Sequence, residues 1–161
     1  MRLWRIGETR RKCRRTFATV LDLFRQQPAF RFVASQAIHY AWTSQDDGEL
    51  GERIDRAVAA GQWEPGGAMW IEPDGNVPSG ESFIRQILHG TRYWESRFGA
   101  AGRQTYLYLP DTFGFSAILP QIMRGAGLDI FITNKLIWSD ANEFPHVNFI
   151  WRGIDGSEVT A

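Results

Sequence analysis

The chain has 161 residues, enough for one domain with a real core, and its 18 Lys and Arg balance 18 Asp and Glu. That neutrality argues against a nucleic-acid partner, which would call for a basic excess. With Cys13 as the single cysteine, an internal disulfide and a cysteine-built metal site are both excluded, and no apolar run reaches membrane-spanning length or resembles a signal-peptide core.

Taken in order, the chain predicts alternating helices and strands. A helix from about Glu8 to Gln27 ends at Pro28, with Cys13, Phe17, Val20, Leu21 and Phe24 at helical spacing. Its basic run (Arg10, Arg11, Lys12, Arg14, Arg15) is then the solvated face of a packed helix, not a transit peptide. A strand over Phe30 to Ala34 is followed by helix to about Ala60, broken near Asp46–Gly48 and stopped by Gly61. A second strand is expected over Ala68 to Glu72, closed by the turn sequence Pro73-Asp74-Gly75. Ser79 reads as the N-cap of a helix with an apolar stripe of Phe83, Ile84, Ile87, Leu88, Trp94 and Phe98. Gly99 to Gly102 ends that helix, and Thr105 to Leu109 reads as the third strand. Ser116 caps a short helix that stops at Gly125 to Gly127, with Pro120 early enough to be tolerated. Ile130 to Thr133 and Phe149 to Arg152 read as the fourth and fifth strands.

This repetition predicts an α/β fold with parallel strands, either open and doubly wound or part of a β/α barrel. Both bind ligands at the carboxyl ends of the strands, where this chain carries polar residues. They are Ser35-Gln36, Glu72 with Asp74, Asp111-Thr112, Thr133-Asn134-Lys135, and Arg152 followed by Asp155. Such a cleft suits hydrolysis by paired carboxylates or a divalent metal, although strand ends emerge into solvent and carry polar residues anyway. Asp111 stands out because it leaves an apolar strand directly, with Pro110 stiffening the exit. A turn or helix-capping aspartate explains it as well as a preorganised nucleophile or metal ligand does. Seven tryptophans suit sugar-stacking faces, but packing in a large core is the commoner reason for such a count.

The segment Pro110-Asp-Thr-Phe-Gly-Phe-Ser116, followed by Leu119-Pro-Gln-Ile-Met123, resembles the nucleophile region of the glycoside hydrolase family 38 α-mannosidases. Further segments resemble that family in its order: Thr9 to Phe17, Gly61-Gln-Trp-Glu-Pro65, Trp70-Ile-Glu-Pro-Asp74, Pro78-Ser-Gly-Glu-Ser82 and Trp151 to Glu158. The resemblance covers essentially the whole chain. It implies part of an α/β-barrel catalytic domain that binds one zinc ion (Zn²⁺) and hydrolyses terminal α-mannosides of glycans. Asp111 would serve as zinc ligand and as the nucleophile of a retaining mechanism. Phe113 would form an apolar wall beside the sugar. Lys135 would be a cation near Asp111 that helps keep it ionised.

The same resemblance shows departures. The family's His-x-Asp pair, which supplies two zinc ligands, would fall just before Met1, and Arg2 stands where the family usually has a tryptophan. A further zinc-binding histidine and the general acid/base are expected beyond Ala161. His39, His89 and His146 do not share a metal-binding spacing, and the two on helices read as surface or packing residues. Glu72 and Asp74 are the best local candidates for a second carboxylate, but turn formation and hydrogen bonds to neighbouring loops explain them as well. The chain alone is therefore expected to be an inactive part of the enzyme, cytoplasmic by its lone thiol. Its rivals are a catalytically dead carbohydrate-binding or interaction module and another barrel hydrolase such as a sugar deacetylase. The latter needs a histidine-rich ligand set that three scattered histidines do not supply.

Overall fold

The computed structural model describes residues 4–161, so Arg2 and Leu3 lie outside the described residues. In chain order the elements are α1 (Ile6–Gln26), β1 (Phe32–Ala34), α2 (Ala37–Asp46), α3 (Gly48–Ala59), β2 (Trp63–Pro65) and α4 (Gly80–Phe98). Then come β3 (Tyr106–Tyr108), α5 (Leu119–Gly125), β4 (Ile130–Ile132), β5 (Ile150–Arg152) and β6 (Glu158–Thr160). Short 3₁₀ turns cover Gly99–Gly102 and Lys135–Ile137. Among the described residues no helix is long and apolar enough to cross a membrane.

The fold is α/β as expected, but its strands form two sheets and not one parallel array. β1 and β2 pair in parallel, while the second sheet runs β3-β4-β6-β5 with β5 antiparallel to β6. The fifth expected strand thus forms, but as half of a hairpin, turned at Gly156 with its positive φ of 86°. Asp155-Gly156 is the sequence signal for that hairpin.

α1 buries Phe17, Val20, Leu21 and Phe24; on its other face Arg11 pairs with Glu8 and Arg10 with Asp46. The break between α2 and α3 is a capping event: Asp47 leaves helical geometry at φ −155° and accepts the Leu50 N–H at 3.0 Å. Gly61 then ends the helical stretch in the left-handed region, φ 68°.

The expected second strand, Ala68 to Glu72, is not a strand; the partner of β1 is β2, with Phe32 opposite Trp63. Gly67 and Ala68 take positive φ (90° and 64°), which turns the chain out of the ladder. Ala68 and Met69 are buried and Trp70 and Ile71 half-buried all the same, but the stretch bonds elsewhere: Trp70 N–H to the Gln86 carbonyl at 2.9 Å, Ile71 N–H to Gln86 Oε1 at 2.9 Å. Burial produced the apolarity there, not strand pairing.

α4 begins as expected, with Ser79 Oγ accepting the Ser82 N–H at 3.3 Å. Its stripe is narrower than the sequence suggests: Phe83, Ile87 and Trp94 are buried, whereas Ile84 and Leu88 are exposed. The contact line instead runs through Gly90, where a Cβ would meet the Ala68 carbonyl oxygen at 2.0 Å. Ile84 and Leu88 line a groove of about 820 Å³ between α4 and α5 that none of the strand-end carboxylates reaches. Ser116 does not cap α5 by its side chain; its backbone carbonyl accepts from Leu119 N–H at 3.0 Å.

His39, in the first turn of α2, is a packing histidine whose Nε2 is buried with no hydrogen-bond partner among the described residues. Burial disfavours the imidazolium and lowers the pKa from 6.5 to about 4. The unfolded chain therefore takes up this proton at a higher pH than the folded one. The contribution is intact above pH 6.5 and is lost as pH falls towards 4, by roughly 3 kcal/mol once both states are protonated. Urea unfolding across that window should show the slope, and His39→Leu should flatten it. An unchanged slope in the variant would remove His39 as its source.

Candidate active site

β3 and β4 are in parallel register, with Tyr106 opposite Ile130, Leu107 opposite Phe131 and Tyr108 opposite Ile132, each pair 24 positions apart. Asp111 and Lys135 keep that same separation past the carboxyl ends of the two strands, and there they meet. Lys135 Nζ lies 3.1 Å from Asp111 Oδ1. The Asp111 side chain is 71% exposed and its partner's only 11%, so the carboxylate opens to solvent while the cation is enclosed beneath it.

Two aromatic rings enclose the cation. Lys135 Nζ stands 3.9 Å from the Trp138 ring centre and 5.1 Å from that of Phe113, and the rings meet edge to face at 5.8 Å. Trp138 reaches this position because residues 135–137 form a 3₁₀ turn, in which positions three apart eclipse; its N–H bonds the Lys135 carbonyl at 3.2 Å. Phe113 is 45% and Trp138 67% exposed, so both present ring surface at the mouth of the site. The structure brings together Asp111, Phe113 and Lys135, which the sequence reading named, and adds Trp138, which it did not name. The available signal was a tryptophan three residues after the expected cation.

The loop from Glu72 to Asn76 supports Asp111 from the side. Glu72 Oε1 accepts the Asp111 N–H at 2.5 Å and the Thr112 hydroxyl at 3.1 Å, and that hydroxyl also reaches the Pro73 carbonyl at 3.0 Å. Burial raises the Glu72 carboxyl pKa, and these two donors partly offset it. Asp74 forms the turn, accepting from Asn76 N–H at 2.9 Å and Val77 N–H at 3.1 Å.

Other strand-end residues are engaged elsewhere. Thr133 donates its hydroxyl to the Leu109 carbonyl at 2.8 Å, holding the ends of β3 and β4 together. Arg152 pairs with Glu158, and Asp155 accepts from the Ser157 hydroxyl at 2.7 Å, which lowers its pKa. Both are occupied within the β5–β6 hairpin, so the structure does not gather them with Asp111 as the sequence suggested.

Zinc requires about four converging nitrogen, oxygen or sulfur donors. Among the described residues no group of three His, Cys, Asp or Glu side chains converges. His39 is packed in α2, and His89 and His146 are exposed on α4 and in the loop before β5. Asp111 offers one donor, so the described residues do not by themselves fit a zinc ion. What they make is an exposed carboxylate, fixed at its backbone, beside a caged ammonium and two ring faces suited to the CH surfaces of a sugar.

Comparisons with known proteins agree in one direction. Residues 2–161 match the model of the glycosyl hydrolases family 38 N-terminal domain. The chain is 51% identical over 157 residues to alpha-mannosidase G of Dictyostelium discoideum, and 45% over 157 residues to alpha-mannosidase 2C1 of Homo sapiens. Each alignment covers 98% of this chain but only 14% and 15% of the respective relative, so the chain spans about one-seventh of their length. An alpha-mannosidase structure from Enterococcus faecalis V583 superposes with a TM-score of 0.81 at 27% identity, over 96% of this chain and 17% of that one. A 4-alpha-glucanotransferase from Thermococcus litoralis shares the fold alone, with a TM-score of 0.72 at 16% identity over 98% of this chain and 25% of that one.

Proposed function

Because the chain belongs to glycosyl hydrolase family 38, we propose that it is part of a zinc-dependent retaining α-mannosidase in which Asp111 is the nucleophile. The observation that carries this reading is the exposed Asp111 carboxylate, held by its backbone and paired with Lys135 at 3.1 Å beside Phe113 and Trp138. A carboxylate oxygen of Asp111 attacks the anomeric carbon of a terminal α-mannoside. The bond to the departing oxygen breaks as the general acid/base of the complete enzyme gives that oxygen a proton, and a glycosyl ester forms on Asp111. Water, losing its proton to the same group, then hydrolyses the ester with net retention. Phe113 and Trp138 offer ring faces to the sugar, and Lys135 orients the carboxylate.

Zinc belongs to this proposal as a cofactor of the complete enzyme, with Asp111 as the one ligand this chain contributes. The remaining ligands, the general acid/base and the strands that would complete a parallel barrel are assigned to parts of the enzyme outside these residues. The substrate class is α-mannoside glycans. A cytoplasmic location goes with the reading, and Cys13 as a free thiol is compatible with it.

Two preparations test it. The 161-residue chain alone should neither retain zinc through dialysis nor release an aryl α-mannoside, while the complete protein should do both. A fluorinated mannosyl inhibitor that traps glycosyl-enzymes should label the peptide containing Asp111 in the complete protein. Label on another carboxylate would move the nucleophile, and Asp111-dependent turnover by the 161-residue chain would show that it needs no outside residues.

A further inference from the structure

We propose that Glu72 is a positioning residue for the nucleophile, forming one end of a two-point clamp with which its loop holds the loop carrying Asp111. The inference rests on the reading of Asp111 as nucleophile. At the first point, Glu72 Oε1 takes the Asp111 N–H at 2.5 Å and shares the single Thr112 hydroxyl proton, at 3.1 Å, with the Pro73 carbonyl at 3.0 Å; Thr112 is buried. At the second point, the Gly75 carbonyl accepts the Ser116 N–H at 3.0 Å. Between them the two backbones touch: a Cβ on Gly75 would stand 1.8 Å from the Gly114 oxygen. Residues 111–116 are thus gripped at both ends by residues 72–75.

The clamp is itself rooted. The N–H groups of Trp70 and Ile71, just before Glu72, bond Gln86 in α4 at 2.9 Å each. α4 contributes Phe83 and Ile87 to the core beneath β3. A rigid line therefore runs from the core through Gln86 and Glu72 to the Asp111 backbone. The Asp111 carboxylate, paired with Lys135, stays open to solvent while its backbone is held by these bonds. A carboxylate is a demanding group to half-bury merely to close a turn. What it supplies here is one oxygen that accepts two donors at consecutive residues.

A positioning role makes geometry matter more than charge, and two conservative variants of the complete enzyme separate the two. Glu72→Gln keeps an oxygen at the same reach, so its kcat should stay within about tenfold of the parent. Glu72→Asp keeps the charge but withdraws the oxygen by one methylene, and should lower kcat by about 10²-fold with KM within about threefold. The reverse order, with Asp tolerated and Gln not, would mean that the charge acts directly and would overturn the inference. Equal and full activity of both variants would overturn it as well. A second readout needs no turnover. In the complete enzyme, hydrogen exchange of the peptide that spans Asp111 should be slow, stay slow in Glu72→Gln, and speed up in Glu72→Asp. If the complete enzyme cleaves no α-mannoside, the nucleophile reading fails by itself, and the exchange rate still decides whether the clamp exists.

Discussion

Replacing Asp111 by asparagine in the complete enzyme should lower kcat toward an aryl α-mannoside on the order of 10⁴-fold, about 5 kcal/mol of transition-state stabilisation. An amide oxygen is a poor nucleophile, and it leaves the Lys135 ammonium without its anionic partner. The loss should be chemical and not structural. The Asp111 side chain is largely solvent-exposed, and the bond that holds the residue in place comes from its backbone N–H to Glu72. The melting temperature should therefore stay close to that of the parent, as for other exposed substitutions. Initial rates on purified variant and parent, checked by thermal melts, decide the matter. A variant retaining a tenth of the parent kcat would rule out Asp111 as the nucleophile.

The largest expected loss of stability lies far from the chemistry, at Trp63. Its ring sits between Phe32 at 4.8 Å, Phe17 at 5.0 Å and Tyr40 at 6.0 Å, all edge-on or nearly so. Trp63 Nε1–H donates to the Tyr40 hydroxyl at 2.7 Å, and that hydroxyl donates to the Ala34 carbonyl at 2.9 Å. One side chain thus ties β2 to α1, α2 and the end of β1. Trp63→Ala removes the ring, leaves a cavity and strips the fully buried Tyr40 hydroxyl of a donor. About 3–5 kcal/mol of destabilisation is expected. Urea denaturation should show it as a shifted midpoint, and Trp138→Ala, with its exposed ring, should change the midpoint hardly at all. A loss below about 1 kcal/mol at Trp63 would mean that the cluster repacks.

These two residues mark what the sequence disclosed and what it withheld. Asp111 was legible because local signals converge on it: an apolar strand, a stiffening proline and a family-like segment all lie within a few residues. The long helices were legible for the same reason, since α1 and α4 repeat their apolar positions within single turns. β2 was not, because three residues ending in proline, between a helix stop and two glycines, carry too little periodicity to outweigh the apolar run that follows. That run is buried by α4 and not by strand partners, and apolarity cannot tell the two apart. The β5–β6 hairpin was half-read, for its turn residues are local but the direction of pairing is not. Within the site, Lys135 was legible from the residues only as one polar strand-end position among several, and its pairing with Asp111 came from the resemblance. The cage that encloses it depends on a 3₁₀ turn and on contact between distant loops.

The equal spacing of the β3–β4 ladder and of the Asp111–Lys135 pair has one more consequence. Because the pair is indexed by hydrogen bonds between neighbouring strands, the exposed residues 124–127, beyond the gripped loop and the buried part of α5, act as slack. Residues gained or lost there leave the two charges face to face as long as the ladder re-forms in the same frame. Slippage of β4 by a single position is another matter. It would turn Ile130 and Ile132 towards the opposite face, and it would carry the ammonium off the carboxylate in the same movement. Correct strand alignment and a correctly assembled charge pair are therefore one event in this protein, and a misaligned chain is also an unarmed one.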